Sequence, residues 1–155
     1  MESLNNKKSV NRKKSQRKKS QLILGYFNSV ARKYDMMNTL LSFGIHHVWK
    51  RKAIRMMGLN SGCWVLDVCG GTGDLAILAA EAIGSAGSVA LYDFSRAMIN
   101  AGRKKKNNSS IRKRIQYIQG DAQEISFQDQ SFNAAMVGFG IRNVIDMKKA
   151  FKEMH

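Results

Sequence analysis

Asp67 sits between the apolar pair Val65-Leu66 and the run Val68-Cys69-Gly70-Gly71-Thr72-Gly73-Asp74. The helix-type stretch Leu75–Glu81 follows at once. This order reads as strand, tight turn, helix. Glycines let a backbone approach a ligand where a Cβ would block it, and the free N–H groups at the start of the helix face that ligand. An acid at the end of the strand disfavours an anionic pyrophosphate and suits a cationic group. S-adenosylmethionine carries an ammonium and a sulfonium, so Asp67, Gly70, Gly71, Thr72 and Gly73 point to a methyl donor. Gly71-x-Gly73-x-x-Ala76 also fits a loose dinucleotide fingerprint. Asp93, twenty residues after Gly73, would hold ribose hydroxyls in either reading. Asp67 and the later Asp121 tilt the choice toward methyl transfer.

The elements that must position these residues follow from periodicity. Leu22, Tyr26, Phe27, Val30 and Tyr34 recur at helical spacing, as do Val48, Trp49, Ala53, Ile54 and Met57, so 21–57 reads as helical up to Gly58. Asn60-Ser61-Gly62 is a turn. An alternation then begins. Strands are expected at 64–69, 88–93, 114–119 and 132–137. Helices are expected at 74–83, 95–106 (with Ser95 as N-cap) and 146–154. The fold class is therefore α/β, a Rossmann-like parallel sheet with helices on both faces and a helical N-terminal extension. Ligands of such sheets sit at the carboxyl ends of the strands, where Asp67, Asp93, Asp121 and Gly138 all fall. Four strands are visible and the chain stops within a helix, so an incomplete domain over 21–155, with its last strands missing, is expected.

Composition narrows the class. The chain has 155 residues and is 44% hydrophobic, enough for one domain with a core. It has no apolar run of membrane-spanning length and no signal-peptide pattern. Two cysteines suggest no disulfide framework, and a cytoplasmic setting is expected. Adjacent His46 and His47 with two distant cysteines match no zinc spacing, so no metal is expected. The net charge of +15 is uneven: residues 1–20 hold eight Lys/Arg and one acid. That segment reads as a disordered basic tail. It would serve as a solubilising tail, a nucleic-acid arm, or a contact with an anionic membrane. A second basic block, Arg103–Lys106 with Arg112–Arg114, reads as a solvated helix end and loop.

Further residues carry a resemblance. Tyr34-Asp35-Met36-Met37-Asn38-x-x-Leu41-Ser42-x-x-x-His46-x-x-Trp49 resembles the signature of the ubiquinone/menaquinone biosynthesis C-methyltransferases. Val65–Asp74 resembles that family's cofactor loop and Asp121-Ala122-Gln123-Glu124 its adenine-side segment. Phe139-Gly140-Ile141-Arg142-Asn143-Val144 resembles its Phe-Gly-x-Arg-Asn-Val block. The similarity covers roughly residues 26–155 and leaves the basic tail outside. It implies a class I S-adenosylmethionine-dependent methyltransferase that methylates a ring carbon of a polyprenyl quinol, either demethylmenaquinol or a methoxy-benzoquinol. It also implies cofactor contacts from Thr72, Asp93, Asp121-Ala122 and Gly138. Gly138 stands where some members have serine, so its contact would be through backbone.

A quinol carbon becomes nucleophilic as its neighbouring hydroxyl loses a proton, which asks for a base or for a cation that stabilises the phenolate. Arg142 is the candidate cation, since it follows the fourth strand and stays charged; pairing with Asp146 is its structural alternative. Asn143 would hold the hydroxyl or a water. His46 and Asp35 are the candidate bases, with capping or packing as the alternative for His46. A greasy substrate would be met at the inner membrane surface, so peripheral contact through the basic tail is expected. The competing readings are an RNA methyltransferase that uses the tail as its arm, and an inactive fragment.

Overall fold

A computed structural model describes the backbone of residues 2–105 and 109–155, and the side chains of Lys14, Ser15 and the described residues from Lys18 onward. Four strands form one parallel sheet: β1 (Trp64–Val68), β2 (Ser88–Asp93), β3 (Ile115–Gln119) and β4 (Ala134–Val137), in the spatial order β3-β2-β1-β4. β1 and β2 are joined through α4 (Asp74–Ala82), and β2 and β3 through α5 (Arg96–Arg103) and the short α6 (Ser109–Arg112). The chain then crosses back to place β4 on the other side of β1. The order reverses between β1 and β4, and a crevice forms at such a switch point. After β4 come a 3₁₀ turn, Phe139–Asn143, and α7 (Met147–Met154).

Alternation along the strands builds two cores. Val65, Val89 and Leu91 face one side and pack with Ala76, Ile83 and Ile99 from α4 and α5. Leu66, Val68, Ala90 and Tyr92 face the other side and meet Ala122 and Ala150 of α7. Burial on both faces explains why β1 and β2 read as near-continuous apolar runs. The expected N-cap Ser95 is in place, and Asp146 caps α7. Ser95 Oγ accepts from the Met98 amide at 3.2 Å, and Asp146 Oδ1 accepts from the Lys149 amide at 3.0 Å.

The N-terminal region differs from expectation in two ways. The expected helical stretch 21–57 is three helices: α1 (Glu2–Val30), α2 (Tyr34–Leu41) and α3 (Ile45–Met56). Breaks at 31–33 and 42–44 fold them against the sheet domain. Helical periodicity persists across both breaks, which hid them. In addition, α1 runs as one helix back to Glu2, through the segment read as a disordered tail. The tail contains no proline or glycine, and its Lys, Arg and Gln are good helix formers. The α2–α3 turn is a Schellman closure: the Gly44 amide donates to Thr39 O at 2.9 Å and the Phe43 amide to Leu40 O at 3.2 Å. Lys106 of the second basic block lies outside the described residues.

Candidate cofactor cleft

The carboxyl ends of β1, β2 and β4 open into a cleft of about 500 Å³. Its floor is the loop after β1. Gly70 has no room for a Cβ, which would lie 2.7 Å from Leu91 Cγ and 2.8 Å from Asp67 Oδ2. Gly71 is left-handed at φ 58, and its amide donates to Asp93 Oδ2 at 2.8 Å. The Ser95 amide donates to the other oxygen, Oδ1, at 2.7 Å. Asp93 thus ties the glycine loop to the start of α5. Burial raises its pKa, and the two amides oppose that rise.

Asp67 lies beneath this loop, fully buried, and still lines the cleft. Neither carboxylate oxygen has a hydrogen-bond partner. Burial, then the nearby Asp93 carboxylate, pushes its pKa up to about 8; the Ala76 amide at the start of α4 favours the charged form but stops short of a hydrogen bond. A buried polar group without a partner is costly, and a cationic ligand group in the cleft would relieve it. Cys69, left-handed at φ 54, has its thiol pushed up to about 12, by burial first and by the surrounding carboxylates second. It is inert as a nucleophile.

The remaining expected cofactor residues fall into two sets. Asp121, Ala122 and Gly138 line the cleft with Gly70, Gly71 and Thr72. Asp121 is held by Gln123, whose amide donates to Oδ1 at 2.9 Å. Gly138 would bring a Cβ to within 3.2 Å of Leu75 Cδ1, which leaves little space for a serine. Gly73 does not line the cleft. Its Cβ would meet Leu91 Cδ1 at 2.8 Å, so its glycine serves the contact between loop and sheet. Thr72 is only 3% exposed, and its hydroxyl is already committed, donating to Asp35 Oδ1 at 2.6 Å and accepting from Lys105 Nζ at 3.0 Å.

That hydroxyl belongs to a charge cluster that sequence reasoning did not find. Lys105 Nζ pairs with Asp35 at 2.8 Å and also with Asp74, while Lys50 Nζ pairs with Asp74 at 2.6 Å. Burial works against the Asp74 charge, but Lys105 and Lys50 outweigh it and hold the carboxyl down at about 2. The cluster staples α2, α3 and the end of α5 to the glycine loop. Asp35 is therefore a clamp beneath the loop and lies outside the lining of the cleft.

His46 is the second candidate base that the structure does not bring to the cleft. It is buried between α2 and α3 and stacks on His47 with ring centres 3.9 Å apart. Ser42 Oγ donates to Asn38 O at 2.7 Å, so at 2.6 Å from His46 Nδ1 it must accept the ring proton. Burial, then Lys50 and His47, lowers the His46 pKa, so the ring is neutral near pH 7. His46, His47 and Asp74 bring ligand atoms within 4.8 Å of one another. Asp74 already holds two ammonium groups, which disfavours a metal ion there.

Arg142 and Asn143 lie on the 3₁₀ turn. Arg142 makes no ion pair with any described residue; its guanidinium lies 5.9 Å from the centre of the Phe139 ring. It lines a second cavity of about 420 Å³ between α1, α2 and this turn, with Tyr26, Val30, Met37 and Leu41. Asn143, Phe27 and Tyr34 line both cavities. Gly140 sets the turn against the loop, since a Cβ there would meet Cys69 Cβ at 2.6 Å. Gly102 does the same for α5 against the Thr72 carbonyl at 2.7 Å. Neither role had a sequence signal beyond an unexplained glycine.

Residues 13–155 match the sequence profile of the ubiE/COQ5 methyltransferase family. The chain belongs to this family. It is 44% identical over 137 residues to the ubiquinone/menaquinone biosynthesis C-methyltransferase UbiE of Haemophilus ducreyi, covering 88% of this chain and 53% of that protein. It is 43% identical over 142 residues to UbiE of Idiomarina loihiensis, covering 92% and 57% respectively. The chain thus spans about half the length of the curated relatives it matches. Among solved structures, an S-adenosylmethionine-dependent methyltransferase of Methanococcus maripaludis superposes with a TM-score of 0.67 at 25% identity, covering 81% of this chain and 56% of that one. The expected Rossmann-like α/β fold of the ubiE/COQ5 family is thereby established.

Proposed function

We propose that this chain binds S-adenosylmethionine in the cleft and carries the donor half of a quinol C-methyltransferase. The observation that bears most weight is the unpartnered carboxyl of Asp67, buried beneath a glycine loop at the switch point of the sheet. It fits a cationic ligand, whose charge would favour the carboxylate form. Asp93 would hold the ribose hydroxyls with lone pairs its two amides leave free, and Asp121-Ala122 would take the adenine side. Membership of the ubiE/COQ5 family supports the same reading.

When bound, the sulfonium supplies an already activated methyl group. The protein's part is to align the acceptor carbon and exclude water. The acceptor would be a polyprenyl quinol, in keeping with the ubiquinone/menaquinone biosynthesis for which the UbiE relatives are named, seated in the second cavity beside the first. Arg142, in no ion pair with a described residue, would stabilise the phenolate, and Asn143 would hold its oxygen at the junction of the two cavities. Asp35 and His46 lie outside the cleft, so the hydroxyl proton would pass to solvent as the Arg142 charge lowers its pKa. The hydrogen of the methylated ring carbon would leave as a proton when the ring regains its aromaticity. The basic segment 1–20 would add attraction to an anionic membrane at about 1 kcal/mol per Lys or Arg held near its surface.

Calorimetry of the full chain with S-adenosylmethionine, and with NAD as control, tests the reading. Saturable binding of the methyl donor alone is expected. Asp93→Ala should abolish that binding while helical content is kept. Binding of NAD instead, or unchanged affinity in the variant, would overturn the assignment.

A further inference from the structure

The α2–α3 hairpin ends in an apolar tip that no other part of the described chain covers. Phe43 occupies the left-handed position of its Schellman turn, at φ 49, where glycine is the usual residue. A bulky side chain there is strained, and Phe43 is 91% exposed, so little contact with the described residues offsets the strain. Met36 and Leu40 stand at i and i+4 on α2, ahead of this turn, and are 64% and 73% exposed. Ile45 and Val48 continue the surface on α3 at 49% and 60%. Single exposed apolar residues are ordinary, but several on one helical hairpin mark an interaction site.

Charge says what covers it. Between Asp35 and Asp67 the chain has no Asp or Glu. Arg51, Lys52 and Arg55 on α3, with Arg32 and Lys33 just before α2, are exposed and in no ion pair with described residues. An apolar tip collared by unpaired cations complements a surface with apolar depth and negative headgroups. Nucleic acid would satisfy the collar but offers the tip no apolar depth. Leu41, at the same end, also lines the second cavity, which shares Phe27, Tyr34 and Asn143 with the cofactor cleft. The tip therefore adjoins a cavity that shares walls with the cleft.

We propose that the α2–α3 hairpin is a lipid-docking surface, with Phe43 and Leu40 entering an anionic membrane interface and the Arg51/Lys52/Arg55 collar binding headgroups. The surface stands on its own geometry; only its purpose, delivery of a lipid-borne acceptor, rests on the proposed function. Vesicle flotation of the full chain tests it, using phosphatidylcholine with and without phosphatidylglycerol. Wild-type protein should float with the anionic vesicles and keep part of that binding at high salt. Leu40→Ser/Phe43→Ser should lose at least tenfold in partitioning and all of the salt-resistant part. Arg51→Gln/Lys52→Gln, a variant that leaves the apolar tip intact, should lose only the salt-sensitive part. Neither pair lines either cavity, so the calorimetric signal with S-adenosylmethionine should be unchanged in both variants. Absence of wild-type flotation would overturn the proposal, as would equal flotation of the Leu40→Ser/Phe43→Ser protein. A wild-type dimer turned monomeric by that variant would assign the tip to a second copy of the chain, and binding to an RNA homopolymer that vesicles do not displace would assign the collar to nucleic acid; either also overturns it. Failure to bind S-adenosylmethionine would instead count against the proposed function, whatever the vesicles show.

Discussion

Asp67 is the residue on which the chemistry of the site turns, because it is buried without a partner. Its pKa of about 8 lies above the unfolded value near 4, so across that interval the folded protein holds a proton that the unfolded chain has lost. Stability therefore falls as pH rises from about 4 to about 8, by up to about 1.4 kcal/mol per pH unit from this group. Asp67→Asn should remove that slope. Urea unfolding between pH 5 and pH 8 should show the variant gaining on wild type as pH increases. The variant should also lose affinity for S-adenosylmethionine. In the wild type, a cation in the cleft favours the carboxylate, so binding near pH 7 should release up to one proton. Calorimetry in buffers of different ionisation enthalpy reads that release directly.

Among the elements, the cluster of Asp35, Thr72, Asp74, Lys50 and Lys105 joins helices distant in the chain to the cofactor loop. Lys105→Met should leave Asp74 to Lys50 alone and release Asp35. A cost of about 1–2 kcal/mol is expected, between that of surface and buried ion pairs. Asp74 has a depressed pKa, so its stabilisation is present above the unfolded value near 4 and fades as pH falls toward about 2. Without Lys105 the fade still starts near the unfolded value but should end at a higher pH, with less stabilisation to lose. The less stable variant should unfold at a higher pH in an acid titration followed by circular dichroism. The strands and helices around this cluster were legible in the sequence, Ser95 as a cap included. The breaks at 31–33 and 42–44 were not, because helical spacing of apolar residues continues through both.

Across the whole molecule, charge is polarised. Glu2 and Asp35 are the only acids before Asp67, against fourteen Lys and Arg. No helix among the described residues is long and apolar enough to cross a membrane. Attraction of this half to an anionic surface should be long-ranged and steeply salt-dependent, since the screening length falls from about 10 Å at 0.1 M to about 3 Å at 1 M salt. Association rates with phosphatidylglycerol vesicles, followed by stopped-flow light scattering, should drop steeply over that range. Deletion of residues 1–20 should lower the rate at low salt much more than at high salt, whereas equal rates at low salt would leave the tail without a membrane role.

What the sequence determined by itself was what neighbouring residues decide among themselves. The strand–glycine–helix order after Val65, the acids at the ends of β1 and β2, and the parallel α/β alternation are properties of short windows and their periodicity. The tertiary structure alone decided which groups meet. Thr72 faces Asp35, 37 residues away, and so spends its hydroxyl on the clamp. His46 turns inward to Ser42 rather than toward the cleft. Gly140 lets the 3₁₀ turn close on Cys69, and Asp67 loses every partner as α4 and the glycine loop cover it. These outcomes depend on how elements far apart in the chain pack, and packing at that range leaves no periodic trace in the order of residues.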